Sequence, residues 1–578
     1  MKLYDEYKKA IKKLGKIEKA YFTSFNIDIN FVEKYILPPL LKESVANDKF
    51  SLEDLNIALM NKSKPDIKLF YDASMMSSFD KKTLVETYPI IIKGGVFHPK
   101  VIYLKGKERT YLFVGSGNLS VSGWGRNIEA FEIIDITKYS SLENQVLNFF
   151  DDIFELAGIK YEKRKRERKV QITNRNFIYS FPKNSDDNSL LLEALEIKEN
   201  LQIFSPYFSD DLDSLVSKKE FKDIKNIAII PDLVGDKNIR LKKLPKDKRI
   251  SFYRFKDKQP YEENEQSVNH SKIWISDTKY AIGSHNCTIP ALYGKNFEAS
   301  LVQNFNNKDE FSLDNFIKNK PEISKKILSE DELQDSERFN SLYRLTANYE
   351  NNSLELEEIV TQAKNILIKL PSFKDSLLTQ SEFKELKKDK ISSVFRALTK
   401  NKIFEIYEDK KLIFRGLIIE KNATIKTRFV ESAETLDDIF LAFANEKNPT
   451  EAKYLQNKDR FEDTSDELLY KRKYKATNVN YYSMYRGFNN LFLRYEKIKD
   501  DELKLERFCF SSPSSLSVVK NILENELLNE DKKLFIYLSI LEFNKLVKKQ
   551  KIKGIEPIVE PKISLTKEDR NFIKEMMK

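Results

Sequence analysis

A histidine followed two residues later by a lysine occurs twice in this chain, each time at the start of an apolar run. The first pair is His98 and Lys100, and the second is His270 and Lys272. Residues two positions apart in a strand point to the same face, so each pair is predicted to act as one dyad. The chain has only three histidines, and two of them stand in these matched settings. The repeat predicts an internal duplication.

The residues that follow each dyad also repeat in one order. A Gly-Ser-x-Asn segment comes first, at 115–118 and again at 283–286, and the glutamates Glu129 and Glu298 come next. The asparagine follows the histidine by 20 residues in the first copy and by 16 in the second. The glutamate follows that asparagine by 11 and by 12 residues. Four features in one order favour an active site over two isolated histidines.

This arrangement, His-x-Lys, Gly-Ser-x-Asn and Glu present twice, resembles the phospholipase D superfamily. The second copy carries the full family signature, because Asp277 follows Lys272 at the family's spacing, whereas Lys105 takes that position in the first copy. The departure is similar to the tyrosyl-DNA phosphodiesterase branch, and in the family this aspartate supports the strand and does not touch phosphate. The segment 115–127 is similar to bacterial nucleases of the superfamily. The resemblance covers roughly residues 15 to 305.

The resemblance implies a phosphodiesterase site that needs both histidines. One neutral imidazole attacks phosphorus to form a phosphohistidine, and the other acts first as acid and then as base for water. By resemblance, His98 is assigned to attack and His270 to protonation of the leaving group. Charge on the phosphate oxygens would be stabilised by Lys100, Lys272, Asn118 and Asn286, the rings would be oriented by Glu129 and Glu298, and substrate would also be contacted by Ser116 and Ser284. Neither a metal nor another cofactor is expected.

The two residues next to the second asparagine are interpreted separately. His285 is expected to be structural or to contact substrate, and Cys287 is expected to be buried. The second cysteine, Cys509, is distant, and neither has metal-ligand spacing around it, which indicates a reducing compartment.

The apolar runs predict an α/β fold made of duplicated phospholipase D-like lobes that form one pseudo-twofold unit, with His98 and His270 facing a shared cleft. Strand-like runs at 20–25, 67–71 and 90–92 precede the first dyad, and runs at 201–208, 227–230 and 250–253 precede the second. A helix is predicted at 31–37, ended by Pro38-Pro39. The predicted division is lobe 1 at 1–160, a basic linker at 161–170, lobe 2 at 171–310 and a C-terminal α+β region at 311–578 of unknown role.

Two stretches outside the repeat carry basic residues. Segment 163–169 has six basic residues in seven, and a solvated linker is preferred there over a phosphate-contacting strap. Basic and aromatic residues interleave from Tyr470 to Tyr495, where a core helix with a basic outer face is preferred over a surface for single strands. A hairpin is predicted from 403–407 and 412–419. The C-terminal region is therefore a candidate for binding nucleic acid or a protein partner.

Composition limits the class of protein. A chain of 578 residues with 41% hydrophobic and 33% charged residues is expected to be an ordered protein with more than one domain. The net charge of +10 permits an anionic partner without demanding one. The charged start and the lack of an uncharged run of about 18 residues predict a cytoplasmic protein with no membrane partner.

The leading hypothesis is a metal-independent phosphodiesterase or nuclease that cleaves DNA through a phosphohistidine intermediate. Its pathway, whether DNA repair, restriction or anti-phage defence, is left open. One alternative is a phospholipase or phosphatidyltransferase, which shares the chemistry but would favour a membrane segment or an apolar amphipathic stretch. The other is a non-catalytic nucleic-acid-binding subunit of a larger complex, against which the two complete dyads argue.

Overall fold

The computed structural model describes residues 2–41, 65–78, 86–161, 174–180, 189–234, 238–239, 241–256, 269–305, 312–323, 341–360, 363–373, 376–398, 401–422, 481–500, 505, 531, 534–539, 541 and 566–577. Contacts divide the chain into two compact units. The first consists of Met1–Thr346, Leu354–Leu386 and Lys402–Ile419, and the second of Ala347–Ser353, Lys387–Asn401 and Glu420–Lys578. Both dyads lie in the first unit. The boundaries predicted at 160, 170 and 310 stay predictions, and 162–170 of the basic linker lies outside the described residues.

The first sheet has six strands in the order β3-β2-β1-β4-β5-β6. They are β1 Ile17–Ser24, β2 Asp66–Asp72, β3 Thr87–Ile90, β4 Val101–Gly106, β5 Thr110–Gly115 and β6 Phe131–Asp135. Strands β1, β2 and β3 are parallel, and β4, β5 and β6 continue the sheet with antiparallel pairing. All six positions of β5 are buried, as expected of a strand covered on both faces.

The second sheet has eight strands in the order β16-β12-β9-β8-β13-β14-β15-β7. They are β7 Arg175–Ser180, β8 Asn200–Ser205, β9 Asn226–Pro231, β12 Ile250–Phe255, β13 Ile273–Ile275, β14 Lys279–Gly283, β15 Glu298–Asn304 and β16 Phe316–Asn319. Strands β10 Leu233–Val234, β11 Asn238–Ile239 and β17 Glu322–Ile323 form a separate small sheet. From β12 to β15, strand order and pairing directions repeat those from β3 to β6. The predicted α/β fold is confirmed, with mixed sheets in which the strand order is duplicated, and the pseudo-twofold arrangement of the lobes stays a prediction.

One helix helps to join the two sheets. Helix Ser140–Leu156 buries Leu142, Val146, Phe149 and Ile153, a spacing of three or four residues that places them on one face. This face lies in a core that contains residues of the first sheet, such as Leu112, and residues next to or within the second, such as Phe297 and Leu301. Burial of one such side chain stabilises the fold by roughly 1.5–3 kcal/mol. The two sheets therefore share a core, and two of its residues, Phe297 and Ala299, flank Glu298.

The helix predicted to end at Pro38-Pro39 continues to Leu41, so that prediction is wrong. The chain forms an α-turn at Ile29–Phe31, a π-helix at Val32–Ile36 and an α-helix at Leu37–Leu41. The change of helix type makes Leu37 the start of a new helix, and the prolines fall in its first turn. The N–H of Leu37 donates to the oxygen of Val32 in the preceding π-helix, and proline, which has no N–H but a helical φ, is tolerated in the turn that follows.

The remaining strands are β18 Leu342–Asn348, β19 Ser353–Val360, β20 Ile366–Lys369, β21 Leu378–Thr379, β22 Ile403–Glu408, β23 Lys411–Leu417 and β24 Ile419–Lys421. Strands β22 and β23 pair antiparallel, which confirms the predicted hairpin. The other α-helices are Lys2–Lys13, Leu190–Leu195, Leu212–Val216, Ile289–Leu292, Gln380–Lys384, Lys388–Ala397, Tyr481–Ile498 and Lys567–Met577. The shorter helical segments are the π-helix Ser122–Arg126 and the 3-10 helices Ala73–Ser78, Lys219–Phe221 and Leu313–Asn315.

The basic and aromatic stretch is helical where it is described. Helix Tyr481–Ile498 buries Phe488 and Tyr495 and exposes Tyr485, whereas 470–480 lies outside the described residues. The helix itself is confirmed for this part, and the choice between a core helix with a basic outer face and a surface for single strands stays a prediction. No helix in the described ranges is both long and apolar enough to cross a membrane.

Candidate active site

Both dyads lie directly before matched strands and not inside them. Val101 begins β4 and Ile273 begins β13, so His98, Lys100, His270 and Lys272 stand in the connections that enter these strands. Each lysine donates from Nζ to the backbone oxygen of its own histidine at 2.8 Å. Their exposed fractions are 2% for Lys100 and 0% for Lys272. The predicted dyads therefore form, but the expected strand geometry is replaced by a lysine held on the histidine backbone.

Each histidine contacts the glutamate of the other repeat. Nδ1 of His98 lies 2.8 Å from Oε2 of Glu298, and Nδ1 of His270 lies 2.9 Å from Oε1 of Glu129. An ionised carboxylate only accepts, so Nδ1 carries the proton and Nε2 carries the lone pair of the neutral ring. The sequence pattern does not predict which glutamate contacts which histidine.

The backbone follows the same exchange. The N–H of His98 donates to the oxygen of Phe297, and the N–H of His270 donates to the oxygen of Ile128, both at 2.9 Å. Phe297 and Ile128 immediately precede the two glutamates. Each histidine segment is thus bridged to the segment that carries its orienting carboxylate.

The glutamates are supported by matched serine and asparagine side chains. Ser116 donates to Glu129 and Ser284 donates to Glu298, each at 2.5 Å. The matched asparagines Asn127 and Asn296 donate to the second carboxylate oxygens at 3.3 Å. The hydroxyl protons of both serines thus point to glutamates, and the predicted contact of these serines with substrate stays a prediction.

The two carboxylates differ in their surroundings. Glu298 is fully buried, whereas Glu129 retains 6% of its side-chain exposure. Burial raises the pKa of Glu298, although the nearby His285 and Lys100 act in the opposite direction. The carboxylate that contacts His98 is therefore more desolvated than the carboxylate that contacts His270.

The asparagines predicted to contact phosphate are also held unequally. Oδ1 of Asn118 lies 3.4 Å from both Oγ of Ser24 and the backbone N of Asn26. These contacts direct the amide oxygen to Ser24, and the NH2 group is the end of the amide that can donate, as the predicted phosphate contact requires. Oδ1 of Asn286, in contrast, is buried without a hydrogen-bond partner among the described residues.

Two serines at the ends of β1 and β8 were missed by the sequence analysis. Oγ of Ser24 accepts the N–H of Leu119, and Oγ of Ser205 accepts the N–H of Cys287, both at 3.0 Å. These N–H groups belong to the residues directly after Asn118 and Asn286. The repeat of a serine at each strand end was the signal that could have found them.

An aromatic ring packs at each histidine. The ring of Phe25 lies 5.3 Å from that of His98, and the ring of Tyr207 lies 6.2 Å from that of His270, both edge to face. Such contacts limit ring rotation. Both histidines are only 3% exposed.

The third histidine is buried beside the site. Nδ1 of His285 lies 2.7 Å from Oγ of Ser300, and its backbone oxygen accepts from Nε1 of Trp274. Burial lowers the pKa of His285 to about 4, with Glu298 opposing this shift and His98 adding to it. His285 is thus a neutral packed residue, as one of its two predicted alternatives states, and Cys287 is buried as predicted.

The signature aspartate of the second copy lies away from the dyads. Asp277 accepts the backbone N–H groups of residues 198, 199 and 200 and the side chain of Asn200. Burial raises its pKa, but these bonds outweigh burial and lower it to about 2. Asp277 therefore anchors a loop, and Lys105 at the corresponding place pairs with Glu143 instead. Among the described residues, no group of three or more His, Cys, Asp and Glu side chains is arranged to hold a metal ion.

No protein-family model and no curated protein matches the chain. Three solved structures are similar to it at 12% identity. They are a mutant yeast tyrosyl-DNA phosphodiesterase (TM-score 0.31, 52% of this chain and 86% of that one), the phosphatidylserine synthase of Haemophilus influenzae (0.35, 53% and 82%) and the polyphosphate kinase of Porphyromonas gingivalis (0.31, 53% and 43%). All three are members of the phospholipase D superfamily, which the motifs resemble.

Proposed function

We propose that this protein is a phosphodiesterase that cleaves DNA through a phosphohistidine intermediate. The observation that carries the proposal is the crossed pair of contacts, His98 with Glu298 and His270 with Glu129, each beside a buried lysine. In both rings the carboxylate holds Nδ1, so Nε2 is the nitrogen that attacks in one ring and transfers a proton in the other, and each ring has one cation beside it, as a two-step phosphoryl transfer needs. A non-catalytic subunit would have no need for this matched set.

The proposed site is pseudo-twofold, with the two imidazoles on opposite sides of one phosphorus. In the first step Nε2 of His98 forms a bond to phosphorus while the bond to the leaving oxygen breaks. His270 enters this step protonated on both ring nitrogens, gives that oxygen its Nε2 proton and is left neutral. In the second step His270 removes a proton from water, the water oxygen bonds to phosphorus, and the bond from phosphorus to His98 breaks.

The fixed charges stabilise the phosphate oxygens during both steps. Lys100 and Lys272 are held by backbone oxygens at 2.8 Å, which places each ammonium beside its histidine. Charge-assisted hydrogen bonds from these groups, with amide donors from Asn118 and Asn286, act where negative charge develops. The orienting carboxylates keep Nδ1 protonated, so Nε2 is the nitrogen that reacts.

DNA is proposed as the substrate on two sequence features. The first copy has Lys105 at the aspartate position, as in the tyrosyl-DNA phosphodiesterase branch, and 115–127 is similar to bacterial nucleases of the family. The net charge of +10 permits a polyanionic partner. Repair, restriction and defence against phage are all compatible with this activity.

The test is incubation of the full chain with labelled single- and double-stranded DNA, RNA and phospholipid vesicles in EDTA. Cleavage of DNA in EDTA by the natural protein, and no cleavage by His98→Ala or His270→Ala, is expected. Lys105→Ala, which changes a lysine outside the proposed site, is the matched control and should cleave normally. Loss of activity in EDTA with rescue by magnesium, or cleavage by the double histidine variant, would contradict the mechanism. Turnover of vesicles alone would favour the phospholipase alternative.

A further inference from the structure

Two buried aspartates occupy matched positions beside the dyads. Asp72 is the last residue of β2, and Asp232 directly follows β9, the strand that takes the place of β2 in the second sheet. Their exposed fractions are 6% and 5%. Both therefore lie at the carboxyl end of a parallel strand, the edge at which open α/β sheets bind ligands.

Each aspartate accepts the backbone N–H of the residue directly before a dyad histidine. Phe97 donates to Oδ2 of Asp72 at 2.7 Å, and Asn269 donates to Oδ1 of Asp232 at 2.8 Å. A bond from a backbone N–H to a buried carboxylate is stronger than one between neutral groups. The side chains of Phe97 and Asn269 differ in size and polarity. The contact is nevertheless the same in both copies, because the backbone N–H makes it.

The two backbone contacts of each histidine segment come from different sheets. The N–H of Phe97 is bound by Asp72 of the first sheet, and the next N–H, that of His98, is bound by the oxygen of Phe297 beside the second sheet. In the other copy the N–H of Asn269 is bound by Asp232, and that of His270 by Ile128. Successive N–H groups held from two sides restrict movement of the histidine along and across the cleft.

We propose that Asp72 and Asp232 are positioning residues, Asp72 for His98 and Asp232 for His270. The kinetic part of this inference depends on the proposed phosphodiesterase function, whereas the structural part does not. A displacement of about 1 Å in a catalytic group can cost about 10²-fold in rate. Asp72→Ala and Asp232→Ala should each lower kcat by about 10- to 10²-fold and leave KM within about twofold. Asp→Asn retains an oxygen acceptor and should recover part of the loss.

The structural part is tested by NMR of the full chain labelled with ¹⁵N-histidine. The chain has only three histidines, so the ring nitrogens of each can be assigned by single substitutions. Asp72→Ala should move the signals of His98 and leave those of His270, and Asp232→Ala should do the reverse. Asp277→Ala is the control, because this aspartate also accepts backbone N–H groups but lies away from the dyads. Equal movement of all signals, or movement of none, would overturn the proposal.

The kinetic part is tested with aryl phosphodiesters whose leaving groups differ in acidity. The variant at the attacking histidine should lose the same factor for every leaving group. The variant at the histidine that acts as acid should lose more as the leaving group becomes poorer, since a good leaving group needs little protonation. Parallel losses in both variants would indicate a merely structural role and overturn the proposal. Selective NMR shifts in a protein that hydrolyses none of these diesters would instead refute the proposed function alone.

Discussion

Oε2 of Glu298 lies 2.8 Å from Nδ1 of His98, and the two residues are 200 positions apart in the chain. Glu129 of the first repeat contacts His270 of the second in the same way, and these two residues are 141 positions apart. The ring of each dyad histidine is therefore oriented by a carboxylate of the other repeat. It follows that neither repeat contains a complete half-site by itself.

The first prediction concerns these carboxylates. Glu298→Gln and Glu129→Gln should each lower kcat by about 10²- to 10⁴-fold, because an amide can present its NH2 to Nδ1 and stabilise the wrong tautomer. Steady-state hydrolysis of an aryl phosphodiester measures the loss. Glu143→Gln, which alters the glutamate paired with Lys105, is the matched control and should retain activity. Full activity of Glu298→Gln or Glu129→Gln would show that the mechanism does not depend on orientation of that histidine ring by its carboxylate.

The second prediction assigns the covalent step. His270→Ala should accumulate a phosphohistidine on His98 when the leaving group is good, because attack proceeds while water is no longer activated. His98→Ala should accumulate none. Intact mass and acid-labile phosphate after mixing with substrate distinguish the two. An adduct on His270 would reverse the roles and leave the chemistry intact.

The third prediction uses the buried His285. Burial lowers its pKa from 6.5 to about 4. Between these pH values the His285 ring is therefore protonated in the unfolded chain and neutral in the folded chain. Stability contributed by the neutral ring is present above pH 6.5 and is lost as pH falls to 4, by about 3 kcal/mol. His285→Asn should lack this loss, so Tm of the natural protein should fall more steeply over this window. Parallel Tm profiles would show that His285 is not buried in its neutral form.

The fourth prediction concerns the aspartate of the family signature. Since the folded pKa of Asp277 is about 2 and lies below its ordinary value of 3.8, its contribution is present above pH 4 and is lost as pH falls through 2. Asp277→Ala should lower stability at pH 7 by about 1 kcal/mol, a small value because the carboxylate is partly exposed. Turnover per folded molecule should not change. A stability difference that persists at pH 2, or a loss of turnover, would contradict the anchoring role.

Much of the site could be predicted from local sequence. The dyads, the Gly-Ser-x-Asn segments and the glutamates repeat in order, and a site made twice from the same parts leaves such a pattern. The hairpin of β22 and β23 was also predictable, because its two apolar runs are adjacent in the chain. Pro38-Pro39 was misinterpreted, since a π-helix changed where the next helix begins.

Other features depended on the tertiary structure. The family resemblance implied that Glu129 and Glu298 orient histidines, but only the packing of two sheets on a shared core decided that each contacts the ring of the other repeat. Asp72 and Asp232 left no motif because they bind backbone N–H groups, and a backbone donor places no requirement on the side chain of Phe97 or Asn269. The sequence determined which groups recur in the two repeats, and long-range contacts decided which of them meet, because residues 141 or 200 positions apart come together only when the sheets pack.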